Sequence, residues 1–195
     1  MCNQQKDHAR AKVTEVVVGK NSVRFSAVLR DSTTGVDVAT ISSEFKRRGN
    51  GNLTVHHAGF YFSSMDLTEM GNATEIFRKS LQVFEQMGVG VVTVDADQIG
   101  KYAWASFGFD WNRAETRTKM EGAFRVFLVE HGVGADDARD IASKASEHPW
   151  WIAVYGRNGV RLGKTFLLTG PQWSGKMVLD SSEESYQWAR KKFRL

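Results

Sequence analysis

Hydrophobic and polar residues alternate through the first third of the chain. A β-branched run covers Val13 to Val18, and a second run, Val23 to Val28, puts Val23, Phe25 and Ala27 on one face. Val36 to Ile41 continues into Phe45, and Leu53-Thr54-Val55 leads through His56 and His57 to Phe60-Tyr61-Phe62. A period of two is the mark of a strand with one buried face, so four strands are predicted. Turn residues separate them at Gly19-Lys20-Asn21, Asp31 to Gly35, and Gly49-Asn50-Gly51. Connections this short join antiparallel neighbours, because a parallel return needs a crossover of about a dozen residues. The pattern therefore predicts an antiparallel meander.

From Ala73 the period changes to that of a helix, with Ile76, Phe77, Leu81, Phe84 and Met87 on one stripe and Gly88 as the stop. Val91-Val92-Thr93-Val94 follows as a buried strand, and the strand–helix–strand unit is long enough for a parallel crossover. A short helix over Ile99 to Ser106 ends at Phe107-Gly108-Phe109. Beyond Trp111 helices dominate. Arg113 to Glu130 carries Met120, Ala123, Phe124, Phe127 and Leu128 on one stripe, and Asp136 or Asp137 is the expected cap of a helix ending at Ser146. Pro149 opens an element over Trp150 to Tyr155 whose type the pattern leaves open. Phe166-Leu167-Leu168 and Met177-Val178-Leu179 read as strands, and Ser182 with Ser185 to Phe193 as a closing helix.

Composition adds limits. At 195 residues, 42% hydrophobic and 25% charged, the chain suits one globular domain, or one with a helical appendage. A single cysteine, Cys2, excludes a disulfide framework within the chain and suits a reducing compartment. Met1 to Lys12 is polar, and no apolar run approaches the ~20 residues of a membrane span, so a soluble, cytoplasmic protein without a membrane partner is expected. The net charge of +4 gathers at Lys46-Arg47-Arg48 and at Arg190, Lys191, Lys192 and Arg194. Such clusters favour phosphate-bearing cofactors or nucleic acid, and equally describe solvated ends of elements.

The order of elements from Leu53 to Phe109 (strand, loop, helix, strand, short helix, Gly-Phe) resembles the core of the GNAT N-acetyltransferase family. In that family a loop of pattern Arg/Gln-x-x-Gly-x-Gly/Ala precedes the central helix and holds the pyrophosphate of acetyl-CoA. Small residues let the backbone approach the phosphates, and first-turn amides form an anion site. The corresponding stretch is Thr68-Glu69-Met70-Gly71-Asn72-Ala73, in which Gly71 and Ala73 match while Thr68 replaces the basic or amide residue. The resemblance thus implies cofactor contacts at Thr68, Met70, Gly71, Asn72 and Ala73, with the strand edge from Ala58 to Ser63, including Phe60, Tyr61 and Phe62, along the pantetheine arm. Family members also carry Tyr-x-x-x-Gly-Phe, whose tyrosine protonates the leaving thiolate. By spacing, Trp104 stands at that position, as a cofactor-pocket wall without useful acidity, and Tyr102 lies two residues earlier.

The fold class expected from this resemblance is α/β (α+β): a mixed, mostly antiparallel GNAT-like sheet with helices on its faces and a helix-rich C-terminal extension. Residues 1–111 would form the acyl-CoA-binding core and 112–195 the extension.

Proton handling for amine acylation falls to Glu44, His57 or Tyr102. A histidine, or a glutamate of raised pKa, is a suitable base near neutral pH. Since neighbours on a strand point to opposite faces, one of His56 and His57 at most faces a cleft. Asp95 and Asp97, at a strand's end, suit substrate contact, and helix capping accounts for Asp97 as well. Histidines at 8, 56, 57, 131 and 148 show no helical pair for a metal. Gly170 to Met177 nearly fits a phosphate-binding loop, but Met177 lacks the hydroxyl that would hold Mg²⁺. The six tryptophans suit core or pocket walls, or stacking on single-stranded nucleic acid.

Two functions follow as expectations. One is an acyl-CoA-dependent N-acyltransferase that moves an acetyl or similar group from acetyl-CoA, or another acyl-CoA, to a small-molecule or protein amine. The other is a catalytically inactive GNAT-like protein, of the kind carried by phages and mobile elements, that binds a host protein or nucleic acid. An aminoacyl-tRNA donor is a third, lesser expectation.

Overall fold

The computed structural model describes residues 9–49, 51–62 and 72–195, with backbone alone at 9, 38, 58–62, 72 and 73. The chain is α+β, a mostly antiparallel β structure flanked by helices and followed by a helix-rich C-terminal part. It forms two compact units, Met1–Gly90 and Val91–Leu195.

In the first unit, β1 (Ala9–Val18), β2 (Ser22–Asp31), β3 (Asp37–Arg47) and β4 (Leu53–Phe62) pair in sequence order, each antiparallel to the next, as the alternation predicts. The turns are built by their own residues. The Asp31 carboxylate accepts hydrogen bonds from the amides of Thr33 and Thr34, and Gly35 adopts φ +71° behind them. That is the backbone substitution for which Asp and Gly are suited. Helix α1 (Asn72–Gln86) then covers one face of the sheet, burying Phe77, Leu81 and Phe84. Phe84 meets the ring of Phe45 edge-on at 5.9 Å, and Phe45 stacks on Phe25 at 5.8 Å. Met87, expected on the buried stripe, lies past the last helical residue and is half exposed. Gly88, at φ +71°, turns the chain away just beyond it.

The second unit begins in β5 (Val89–Ala96), whose Val92, Val94 and Ala96 are buried in strict alternation. After α2 (Gly100–Ser106) come β6 (Asp110–Trp111), α3 (Ala114–Glu130), α4 (Ala135–Ala145), α5 (Pro149–Val154), α6 (Leu162–Thr169), β7 (Trp173–Val178) and α7 (Glu184–Phe193). β7 pairs antiparallel with both β5 and β6. In α3, Met120, Phe124 and Leu128 of the predicted stripe are fully buried. No helix among the described residues is long and apolar enough to cross a membrane.

Two local expectations are corrected, and one left open is settled. Phe166-Leu167-Leu168 belongs to α6, where Leu162, Gly163, Phe166 and Leu167 are buried at helical spacing. Three adjacent apolar residues fit either period, and the partner face decides between them. Neither Asp136 nor Asp137 caps α4. Gly134 holds the cap position with no side-chain bond, and both carboxylates sit in the first turn, near the positive end of the helix. The element opened by Pro149 is helical, with proline in the first turn, where its missing N–H costs nothing. The Gly-Lys of the phosphate-loop look-alike lies inside β7, where a side chain on Gly175 would press on the Trp173 ring and Val94.

Gly163 is the tightest glycine in the second unit: a methyl group there would overlap the Ile152 carbonyl oxygen. Gly163→Ala is therefore expected to destabilise the chain by about 4 kcal/mol or more, lowering the melting temperature by roughly 10 °C. Gly122→Ala, inside α3 with nothing within 4 Å of the added carbon, should raise stability by about 1 kcal/mol. Thermal melts of both variants beside the parent chain check the pair, and equal melting temperatures for the two would refute the packing account.

Candidate functional site

The candidate site is built on β3 and β4, and its chemistry follows from their register. Glu44 pairs across to His56 on one side and to Arg24 of β2 on the other. Ser43 pairs with His57. Because successive strand residues alternate, Arg24, Glu44 and His56 line one face of the sheet and Ser43 and His57 the other.

On the first face the Glu44 carboxylate lies 2.8 Å from Lys46 Nζ and 3.8 Å from an Arg24 guanidinium nitrogen, and its side chain is only 14% exposed. The hydrogen bond from Lys46 holds it below the usual glutamate range, with the charges of Lys46, Arg24 and His56 acting in the same direction against desolvation. A base for amine acylation needs the opposite shift.

On the second face His57 lies beneath α1. It is 7% exposed, with Phe84 at 5.4 Å and Phe77 at 6.2 Å between ring centroids. Its Nδ1 hydrogen-bonds Ser43 Oγ at 2.9 Å, and Ser43 itself is fully buried. Burial, then the nearby charge of His56, pushes the imidazole down to about 4. It is therefore neutral at pH 7 and a weak base. The pair has the residue types of a nucleophile and its base, but it joins β3 to β4 inside a closed apolar layer.

The remaining expected residues lie at the end of β4, elsewhere along the chain, or outside the described residues. Phe60, Tyr61 and Phe62 end β4, paired through their backbones with Ile41, Thr40 and Ala39. Thr68, Met70 and Gly71 lie outside the described residues, and Asn72 and Ala73 open α1. Tyr102 and Trp104 belong to α2 in the second unit. Tyr102 is half-buried under Lys164, whose Nζ lies 5.3 Å from the ring centroid. Trp104 is a core residue set edge-on to Phe107 and Phe109. Asp95 is exposed at the end of β5. Asp97 does not cap α2, whose cap residue is Ile99. Its carboxylate accepts from the Gln98 amide and is held below its ordinary value chiefly by a hydrogen bond with the Gln172 side chain.

No protein-family model matches the chain, and no curated protein matches it either.

A further cluster in the second unit has no counterpart in the sequence reading. His148 stacks on Trp150 at 4.1 Å and 11°, with Asp110 at 3.4 Å from Nδ1 and Glu184 at 3.3 Å from Nε2. These residues come from β6, the start of α5 and the first turn of α7, so no sequence spacing links them. Ser43 was likewise missed. The available signal was its place one residue before Glu44, which puts it opposite whichever histidine turns inward.

The depressed pKa of His57 gives the first unit a pH dependence. Between about 4 and the ordinary value of 6.5 the unfolded chain binds a proton that the folded chain refuses. The stabilisation is complete above 6.5 and is lost as pH falls towards 4, by about 3 kcal/mol for this shift. His57→Gln keeps a polar partner for Ser43 without a titrating ring and should flatten that part of the profile. Denaturant melts at a series of pH values across this window measure it, and an unchanged acid slope in the variant would contradict the assignment.

Proposed function

We propose that the chain is a non-catalytic, GNAT-like protein whose fold serves as a scaffold for binding a macromolecule, either a host protein or a nucleic acid. One observation carries this reading: Glu44 and His57, the proton-transfer groups expected on β3 and β4, are engaged structurally. Glu44 is tied to Lys46 as a stable carboxylate, and His57 is a neutral imidazole sealed under Phe77 and Phe84. Trp104, at the place of the family's tyrosine, supports it further as a core residue with a donor N–H and no usable acidity.

The second reading is acyl-CoA-dependent N-acyl transfer. In its favour, β4 ends at Phe62 and α1 begins at Asn72, so that Asn72 and Ala73 supply first-turn amides where the family's motif has them. Calorimetric titration with acetyl-CoA, followed by an acylation assay on a panel of amines, separates the two. The scaffold reading expects no acyl transfer at millimolar cofactor, and neither Glu44→Gln nor His57→Gln should alter partner binding by more than about twofold, a change of roughly 0.4 kcal/mol. Saturable acetyl-CoA binding with turnover that falls in Glu44→Gln would overturn it in favour of the transferase.

A further inference from the structure

Between Glu147 and Asp180 the chain carries no acidic residue, while Arg157, Arg161, Lys164 and Lys176 all fall within that stretch. The fold places two of these cations, Arg157 and Arg161, on one hairpin, and Lys164 just beyond it lies over the Tyr102 ring. Tyr155 to Gly163 doubles back on itself, with Arg157 and Val160 exchanging backbone hydrogen bonds of 3.0 and 2.9 Å and the Gly163 amide donating to the Tyr155 carbonyl at 3.0 Å. The two turn residues, Asn158 at φ 50° and Gly159 at φ 79°, are both left-handed, as a type I′ hairpin requires. At its base Gly163 is seated against the Ile152 carbonyl, so the hairpin is anchored to α5.

This hairpin carries two exposed arginines. Residues 156–161 are all exposed, and neither Arg157 nor Arg161 has an acidic partner within 4 Å among the described residues. Some of the chain's other cations are engaged, while others, Arg47 and Arg48 among them, have no ion pair among the described residues either. Lys46 is held by Glu44, Arg190 lies over the Tyr186 ring, and Lys192 donates to the Ser106 carbonyl. Beside the hairpin, α5 exposes Trp151 and Val154, and the hairpin itself exposes Val160. Exposed arginines that follow an exposed aromatic and apolar residues along the chain suit a phosphodiester backbone with sugars and bases beside it better than they suit a simple anion.

We propose that the Arg157–Arg161 hairpin is a nucleic-acid-binding element that contacts the phosphate backbone. The proposal rests on the scaffold reading and names its partner as nucleic acid. Guanidinium groups on a fixed turn lose little freedom on pairing with phosphate, and each neutralised phosphate releases condensed counter-ions. The interaction is therefore salt-dependent.

The test is fluorescence anisotropy with the full chain on a short labelled duplex DNA, the matching single strand and the matching RNA, between about 50 and about 200 mM salt. At least one of the three should bind, and the three arms identify which. On that nucleic acid, Arg157→Ala combined with Arg161→Ala should weaken binding by roughly tenfold or more and reduce the slope of log affinity against log salt by about 2. The double lysine variant at the same positions should keep the slope. Circular dichroism melts confirm that the variants fold, and since both side chains are exposed the melting temperature should not move. An unchanged slope in the alanine variant overturns the proposal. So does an equal loss from Arg47→Ala with Arg48→Ala, which would make the effect one of net charge. Failure of all three nucleic acids to bind also overturns it and leaves a protein partner for the scaffold. Acyl transfer in the cofactor assay would instead defeat the scaffold reading itself, whatever the anisotropy shows.

Discussion

In an antiparallel ladder, a slip of one residue carries every side chain to the opposite face. The pairing of β3 with β4 is therefore the constraint on which the first unit depends. It places Ser43 against His57 and Glu44 against His56, and the apolar face then closes under α1 through Phe45, Phe77 and Phe84. A shift between Ser42 and Ser43 marks an irregularity at this point, with Gly59 and His57 as consecutive partners. The extra residue re-aims the strand just before the buried pair. A neutral histidine in that layer is tolerable because its Nδ1 is hydrogen-bonded. A charged one would meet the cost of an ion in an apolar setting, which accounts for the direction of its pKa shift.

The second unit is organised by aromatic packing with polar anchors. Trp150, Phe109, Phe124, Ile152 and Leu167 are fully buried. Trp111 donates its indole N–H to the Ser146 carbonyl at 2.7 Å, and Trp173 donates to the Lys101 carbonyl at 3.2 Å. Large rings with one satisfied donor can fill a core in this way, whereas the buried indole N–H of Trp150 has no hydrogen-bond partner among the described residues. Close glycine contacts complete the arrangement. A side chain at Gly108 would strike the Ser185 carbonyl and the Trp188 ring, so the turn after α2 can lie directly against α7. The Gly-Phe that completes the family resemblance thus has a packing reason of its own.

Charge is distributed unevenly over these elements. In the first unit some cations are drawn into pairs: Lys46 and Arg24 with Glu44, Arg30 with Asp37, Arg78 with Glu75. Most of these pairs are exposed and contribute little to stability, but they do neutralise the surface they occupy. Among the described residues the hairpin before α6 has no such ion pair at Arg157 or Arg161. A modest net charge can therefore conceal a local concentration of cations.

Much of the fold was legible along the chain because its signals are local. Alternation and short turns determined the four-stranded meander. The spacing of Phe77, Leu81 and Phe84 determined α1, and that of Met120, Phe124 and Leu128 determined α3. Where a run suits both periods, as at Phe166-Leu167-Leu168, sequence could not choose, because the choice depends on the face that Ile152 and its neighbours offer to Gly163. The candidate site was less legible. Sequence supplied Glu44 and His57 as residue types, but their chemistry depends on what lies across the ladder and above it. Only the tertiary structure set Lys46 on the carboxylate and two phenylalanines over the imidazole, since proton affinity is a property of surroundings and not of residue identity. The hairpin arginines show the same division. Their charge and the Asn-Gly turn are written in the sequence, whereas the absence of an acidic partner among the described residues is decided by which residues the fold brings near them.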